Sequence, residues 1–347
     1  MKRCFVKEDS REYWIIEATE TCMTITTDGQ MSHKLFDSDQ DCERESQWMI
    51  KEKMKSGFVE SDSEIALGKI ESKKYSAAWS DDPEMIAKLA EIILTDSMLP
   101  ELKHITIGNW GPANSSDPGY ILEIIVMNKE KFQHIESLFV GDMGYEECEI
   151  SWICQCDYSE VLKALPNLKS FTMKGVPGDL GENLDLPMME EISIICGGLP
   201  RHIVTQLISA KLPNLKKLVL YLGVADYGLE CEVDDLENLA KKELFPNLKY
   251  LGFLDSAVQD EILEMMLESD ILPQLEVLDM SCGCLTDFAG LLILDNEEKF
   301  SHLKLLNASY HYMSEDMMNE LKALPFEIDL SDPQESDEEN MWPMITE

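Results

Sequence analysis

The chain has 347 residues, with 44% hydrophobic and 28% charged side chains, proportions that belong to a folded protein and exclude a wholly disordered one. A net charge of −38 speaks against a nucleic-acid backbone as the partner, because phosphate binding needs clustered Lys and Arg, and it favours basic partners. No run approaches the roughly 18 apolar residues of a membrane helix, so a helical membrane span is not expected.

The opening residues, Met1-Lys2-Arg3-Cys4-Phe5-Val6-Lys7-Glu8-Asp9, hold no apolar run of the signal-peptide kind, and a cytoplasmic protein is expected. From Ser61 to Ser80 the pattern loses its period, which predicts a linker over 61–80. Amphipathic spacing predicts helices over 83–95, 201–210, 234–242, 257–268 and 314–324. Asp82 stands as an N-cap before a proline at the first helical position, and Ser256 with Gln259 fits a capping box. Over 331–347 the chain turns acidic, as in Glu335-Ser336-Asp337-Glu338-Glu339-Asn340, and like-charge repulsion predicts a disordered tail. Trp342 is the residue in it able to dock on the last repeat.

Among these elements one phrase recurs, Pro-x-Leu-x-x-Leu-x-Leu. It reads PELKHITI from Pro100, QHIESLFV from Gln133, PNLKSFTM from Pro166, PMMEEISI from Pro187, PNLKKLVL from Pro213, PNLKYLGF from Pro246, PQLEVLDM from Pro273 and SHLKLLNA from Ser301. A clipped copy begins at Pro325. The first apolar places, Leu102, Ile135, Leu168, Met189, Leu215, Leu248, Leu275 and Leu303, stand 21 to 33 residues apart, close to the period of leucine-rich repeats. Alternating apolar residues make each phrase a strand with one face in a core, and the proline stops the helix before it. No unit can bury its own apolar face, so the units must stack. The fold class is therefore α/β, a leucine-rich-repeat solenoid over 81–330 with parallel strands on the concave side and helices on the convex side.

Phe139-Val140-Gly141-Asp142 followed by Glu146-Glu147-Cys148-Glu149-Ile150-Ser151-Trp152-Ile153 resembles a stretch of a bacterial leucine-rich-repeat family, the molybdate-metabolism-regulator-like group, which often carries a WGR domain at its start. Residues 1–60 resemble that domain in degenerate form, since Thr26-Thr27-Asp28-Gly29-Gln30 stands where its Trp-Gly-Arg triplet would fall. The resemblance implies a small antiparallel sheet plus helix, with strands over 11–17, 22–27 and 33–38 and a helix from Asp39 that ends at Lys55-Ser56-Gly57-Phe58-Val59-Glu60. It also implies, through eukaryotic relatives, a contribution to nucleic-acid contacts. The module's nine basic and thirteen acidic side chains leave it net negative and short of a basic footprint.

On a stacked array the outward strand residues form the contact surface. These include large apolar and aromatic groups at Phe139, Ile195, Val219, Tyr221, Tyr250, Leu254 and Val277, with Asp142, Asp255 and Asp279 at the edge to take Lys or Arg from a partner. A one-residue slip of register would turn the same groups into core.

The six histidines fall in unrelated settings, and no phosphate loop, nucleophile elbow or metal-binding spacing occurs. Cys154/Cys156 and Cys282/Cys284 are spaced C-x-C, which suits small packed thiols better than a zinc knuckle. The expectation is a protein without catalysis, metal or cofactor that scaffolds a protein partner. Two alternatives stay open: a nucleic-acid-associated regulator working through the WGR-like module, and an acidic mimic that occupies a basic protein.

Overall fold

The computed structural model describes residues 1–7, 10, 12–61, 68–80, 82, 84–335 and 341–345. The chain divides into two compact units, Met1–Cys148 and Glu149–Glu347.

The first unit begins with β1 (Lys2–Lys7), β2 (Tyr13–Thr19), β3 (Cys22–Thr27) and β4 (Gln30–Leu35), joined antiparallel in sequence, and β5 (Phe58–Glu60) pairs antiparallel with β1. Between β4 and β5 runs α1 (Asp39–Lys55), whose start is set by Ser38, a side chain that accepts the Asp41 amide. Cys42, Ser46 and Ile50 recur at four-residue spacing and turn one stripe of α1 into the sheet. They close a core of Phe5, Trp14, Ile16, Met23, Phe36 and Phe58. Among the strands proposed from the resemblance, Arg11 lies outside the described residues.

The segment expected as a linker carries a strand instead. β6 (Ser72–Ala77) runs parallel beside β4, from Gln30↔Ser72 to Leu35↔Ala77, and is followed by α2 (Met85–Thr95), β7 (His104–Ile107), α3 (Gly119–Met127) and β8 (Ser137–Val140). β6, β7 and β8 pair in parallel order. The physical reason is the free edge of β4, whose unpaired backbone groups need a neighbour. Periodicity missed β6 because its buried positions include Lys73, Tyr75 and Ser76, two of them polar. Lys73 is tolerated there because its ammonium lies 2.5 Å from Asp96, which also accepts the Tyr75 hydroxyl at 2.7 Å and the Met98 amide at 2.8 Å. Asp82 accepts the Glu84 amide ahead of α2, while Pro83 lies outside the described residues.

The second unit holds α4 (Ser159–Ala164), β9 (Ser170–Lys174), β10 (Glu191–Ile195), α5 (Arg201–Ser209), β11 (Lys217–Gly223), α6 (Val233–Leu239), β12 (Tyr250–Ser256) and α7 (Gln259–Glu268). After these come β13 (Val277–Asp279), α8 (Asp287–Asp295), α9 (Glu297–Phe300), β14 (Leu305–Asn307), α10 (Glu315–Leu321) and β15 (Ile328–Asp329). The strands β9 to β15 pair in chain order, all parallel. Leu218, Leu251, Leu278 and Leu306 occupy one register row and are buried, as stacked leucine-rich repeats require. Half of the predicted capping box forms, as the Gln259 side chain accepts the Ser256 amide at 3.1 Å.

Two ladders stitch these repeats outside the strands. The Asn214 side chain donates to the carbonyl of Pro187 at 2.7 Å, and Asn247 to that of Pro213 at 2.8 Å, so the second place of each phrase grips the first place of the one before. Four residues past the inward leucine row, Asp255, Cys282, Tyr310 and Asp332 all take the left-handed conformation, with φ of 60°, 64°, 57° and 58°. Each such turn costs a non-glycine residue roughly 1–2 kcal/mol. In the first three, the amide offsets that cost by donating to the next repeat: Asp255 to Ser281 at 3.0 Å, Cys282 to Ser309 at 3.0 Å and Tyr310 to Ser331 at 2.9 Å.

The expected disordered tail is also corrected. Ser331 and Gln334 continue the hydrogen bonding of the last repeat, the Gln334 amide donating to His311 at 2.8 Å. Residues 341–345 lie on the repeats, with the Met344 amide donating to the Cys282 carbonyl at 2.9 Å. The acidic stretch 336–340, on which the expectation rested, falls outside the described residues.

Candidate functional site

The register settles which side chains share the sheet face of the second unit opposite the leucine row. One row reads Ser170, Glu191, Lys217, Tyr250, Val277, Leu305, and the next reads Thr172, Ser193, Val219, Gly252, Asp279, Asn307. Tyr221 stands beside Leu254 in the row after that, which also carries Ile195 on β10. The alternation read from the sequence holds, and no slip of one residue has occurred.

Sharing a face does not make these side chains accessible. Ile195, Tyr221, Tyr250 and Val277 are half-buried, whereas Val219 is 7% and Leu254 4% exposed. Those two are corrected from contact residues to packed ones. Gly252 supplies the reason: a Cβ there would stand 2.5 Å from Leu254 Cδ1, so the missing side chain is the space into which Leu254 folds.

The carboxylates are corrected too. Asp279, 4% exposed, accepts the hydroxyl of Tyr250 on one oxygen, and on the other the amide and hydroxyl of Ser281 at 3.1 and 2.6 Å. The Lys217 ammonium lies 4.6 Å from the centre of the Tyr250 ring, a cation–π contact that completes a Lys217–Tyr250–Asp279–Ser281 chain. Asp255 is fully buried at its left-handed turn. Its Oδ1 accepts the Ile345 amide at 2.7 Å, and Oδ2 has no hydrogen-bond partner. In the first unit, Phe139 is half-buried and Asp142 is taken by Lys74, whose ammonium lies 2.9 Å from the carboxylate and donates to the Asp142 carbonyl at 2.7 Å.

Burial decides the electrostatics of this face. Burial pushes the Tyr221 hydroxyl up to about 12, with the Cys282 thiol, Asp279 and Asp255 adding to it. Tyr250 is raised by burial and by its bond to Asp279, so both hydroxyls stay neutral donors at physiological pH. Burial raises Asp255 to about 7 in spite of the amides that approach it. The face therefore offers apolar rings and neutral hydroxyls.

Sequence reasoning missed Cys282, Tyr310 and Tyr312, which lie just beyond the strands, as parts of this face. Tyr310-His311-Tyr312 directly after a repeat phrase was the available signal. Tyr312 accepts the Trp342 amide at 3.1 Å and donates to its carbonyl at 2.9 Å. A cavity of about 690 Å³ lies between α6 and α7, lined by Asp234, Glu237, Glu261, Glu264 and Glu268 among others. Among the described residues no group of three or more His, Cys, Asp and Glu is placed to hold a metal ion, and no helix is long and apolar enough to cross a membrane.

A protein of Bacteroides fragilis, solved as a crystal structure by a structural genomics consortium, matches the whole of this chain and the whole of its own at 42% identity and a TM-score of 0.76. InlP of Listeria monocytogenes aligns over 67% of this chain and 65% of its own at 16% identity and a TM-score of 0.30, a superposition too loose to bear on fold or function. No protein-family model matches the chain, and no curated protein matches it.

Proposed function

The chain belongs to the same family as the Bacteroides fragilis protein, and on that premise we propose that it is a non-catalytic scaffold that binds a protein partner through the sheet face of its second unit. The observation that carries this reading is the grouping of half-buried Ile195, Tyr221, Tyr250 and Val277 on the sheet face opposite the buried leucine row. Rings held partly under their neighbours give apolar contact area with little entropy left to lose, which suits hot-spot residues. The neutral Tyr221 hydroxyl would orient a partner's carbonyls and amides at low desolvation cost, while that of Tyr250, given to Asp279, is left to accept an amide.

The finer assignment to the molybdate-metabolism-regulator-like group, with a degenerate WGR-like start, rests on the resemblance of residues 1–60 and of Phe139–Ile153. A cytoplasmic setting agrees with ten cysteines spread thinly along the chain. A second reading, an acidic surface that occupies a basic protein, is favoured by the carboxylate-lined groove between α6 and α7.

The test is affinity capture from the native host with the wild-type chain and with Tyr221→Ala combined with Tyr250→Ala, both checked for folding by circular dichroism. Partners lost with the double variant support the sheet face. Unchanged capture by a folded double variant sinks it, and capture that instead falls steeply with ionic strength points to the acidic groove.

A further inference from the structure

Residues 341–345 are held on the second unit mainly through their backbone. The Met344 and Ile345 amides donate to the Cys282 carbonyl and to Asp255, and the Trp342 backbone is gripped by Tyr312, with the Tyr310 hydroxyl at 3.3 Å from the same carbonyl. Of their side chains Met341, Trp342 and Met344 stay exposed, Ile345 is half-buried and Pro343 is buried. A segment docked by exchangeable hydrogen bonds and little apolar burial is easily replaced by water or by another extended chain.

It docks at an unusual place. Asp255 follows Leu254 at the end of β12, is closed off from solvent, and keeps one carboxylate oxygen buried without a partner. The groups facing it from the packed elements are Tyr221 on β11, Tyr310 after β14, and the thiols of Cys196, Cys282 and Cys284. None of these is a cation. An ionised Asp255 in the docked state is therefore a buried charge that the Ile345 amide satisfies on one oxygen only, with no cation among the groups around it.

We propose that residues 341–345 form a detachable strap over the Asp255 corner of the sheet face, held while Asp255 is protonated and released when it ionises, so that the corner becomes available to a partner's extended segment. The partner half of this rests on the function proposed above; the strap itself does not, and it is tested without any partner.

The sign follows from burial, which raises the Asp255 carboxyl to about 7. A group held above its ordinary value favours docking fully below that ordinary value, and the advantage is lost as pH rises to the raised value. If release returns Asp255 to an ordinary value near 4, the docking equilibrium weakens by up to roughly a hundredfold between pH 5 and pH 8.

The experiment is amide hydrogen exchange of the full chain at Met344 and Ile345, corrected for intrinsic rates, together with Trp342 fluorescence taken by difference from Trp342→Phe. Protection at pH 5 that is lost by pH 8, and that persists at both in Asp255→Asn, is the expected result. Equal protection at pH 5 and pH 8 in the wild type overturns the proposal, as does a folded Asp255→Asn chain that keeps the wild-type pH profile. Should that variant not fold, the wild-type series decides alone.

Discussion

Tyr250 donates its hydroxyl to Asp279 two places beyond its register partner on the neighbouring strand, so a diagonal hydrogen bond crosses the face above Gly252. That bond ties a candidate contact ring to a buried carboxylate. Tyr250→Phe removes it and leaves Asp279 to Ser281 alone, and a loss of about 1–3 kcal/mol is expected in urea unfolding, in the range for a bond to a charged group. An unchanged midpoint would show that water satisfies the Asp279 carboxylate equally well.

Gly252→Ala puts a methyl group where Leu254 now lies. Leu254 must then swing outward, and overpacking of this kind costs about 1–3 kcal/mol. The variant should melt lower than wild type, and a crystal structure should show Leu254 more exposed.

Leu251 sits in the buried row between Leu218 and Leu278, so its truncation opens a gap that two other repeats share. Leu251→Ala is expected to lower the unfolding free energy of the second unit by about 2–5 kcal/mol. Exchange rates should rise in β11 and β13 as well as in β12, because each repeat leans on its neighbours. Faster exchange confined to β12 would contradict that coupling.

Lys73 and Asp96 form a buried pair in the first unit. Lys73→Met leaves a buried carboxylate with the Tyr75 hydroxyl and the Met98 amide, a loss of about 3–5 kcal/mol that thermal melting would report. Burial would raise Asp96, but the bonds from Lys73, Met98 and Tyr75 outweigh it and hold the group below the ordinary value. Its contribution is thus present above the ordinary carboxylate value and lost as pH falls through the depressed one. Acid unfolding of the wild type should be steeper than that of Asp96→Asn.

The repeat phrases were legible because they are local. Leucines at alternate places, a proline before most of the strands and a 21-to-33-residue period name the strands and their two faces without reference to any other residue. That reading placed Leu218, Leu251 and Leu278 in one inward row and Tyr221, Tyr250 and Val277 on the other side, as the register has them. β6 was illegible for the opposite reason, since Lys73 reads as a surface residue until Asp96 arrives from beyond α2 to neutralise it.

What the sequence determined by itself is therefore the alternation of faces, which follows from backbone geometry within a strand. What only the tertiary structure decided is which outward residues remain accessible. Leu254 is hidden by the gap at Gly252, Asp279 by Tyr250, Asp142 is occupied by Lys74, and Asp255 is closed by a turn of positive φ and by the amide of Ile345, 90 residues away. Those contacts join residues far apart in the chain. Their energy depends on distances that no local pattern encodes, since burial and pairing exist only once the repeats have stacked.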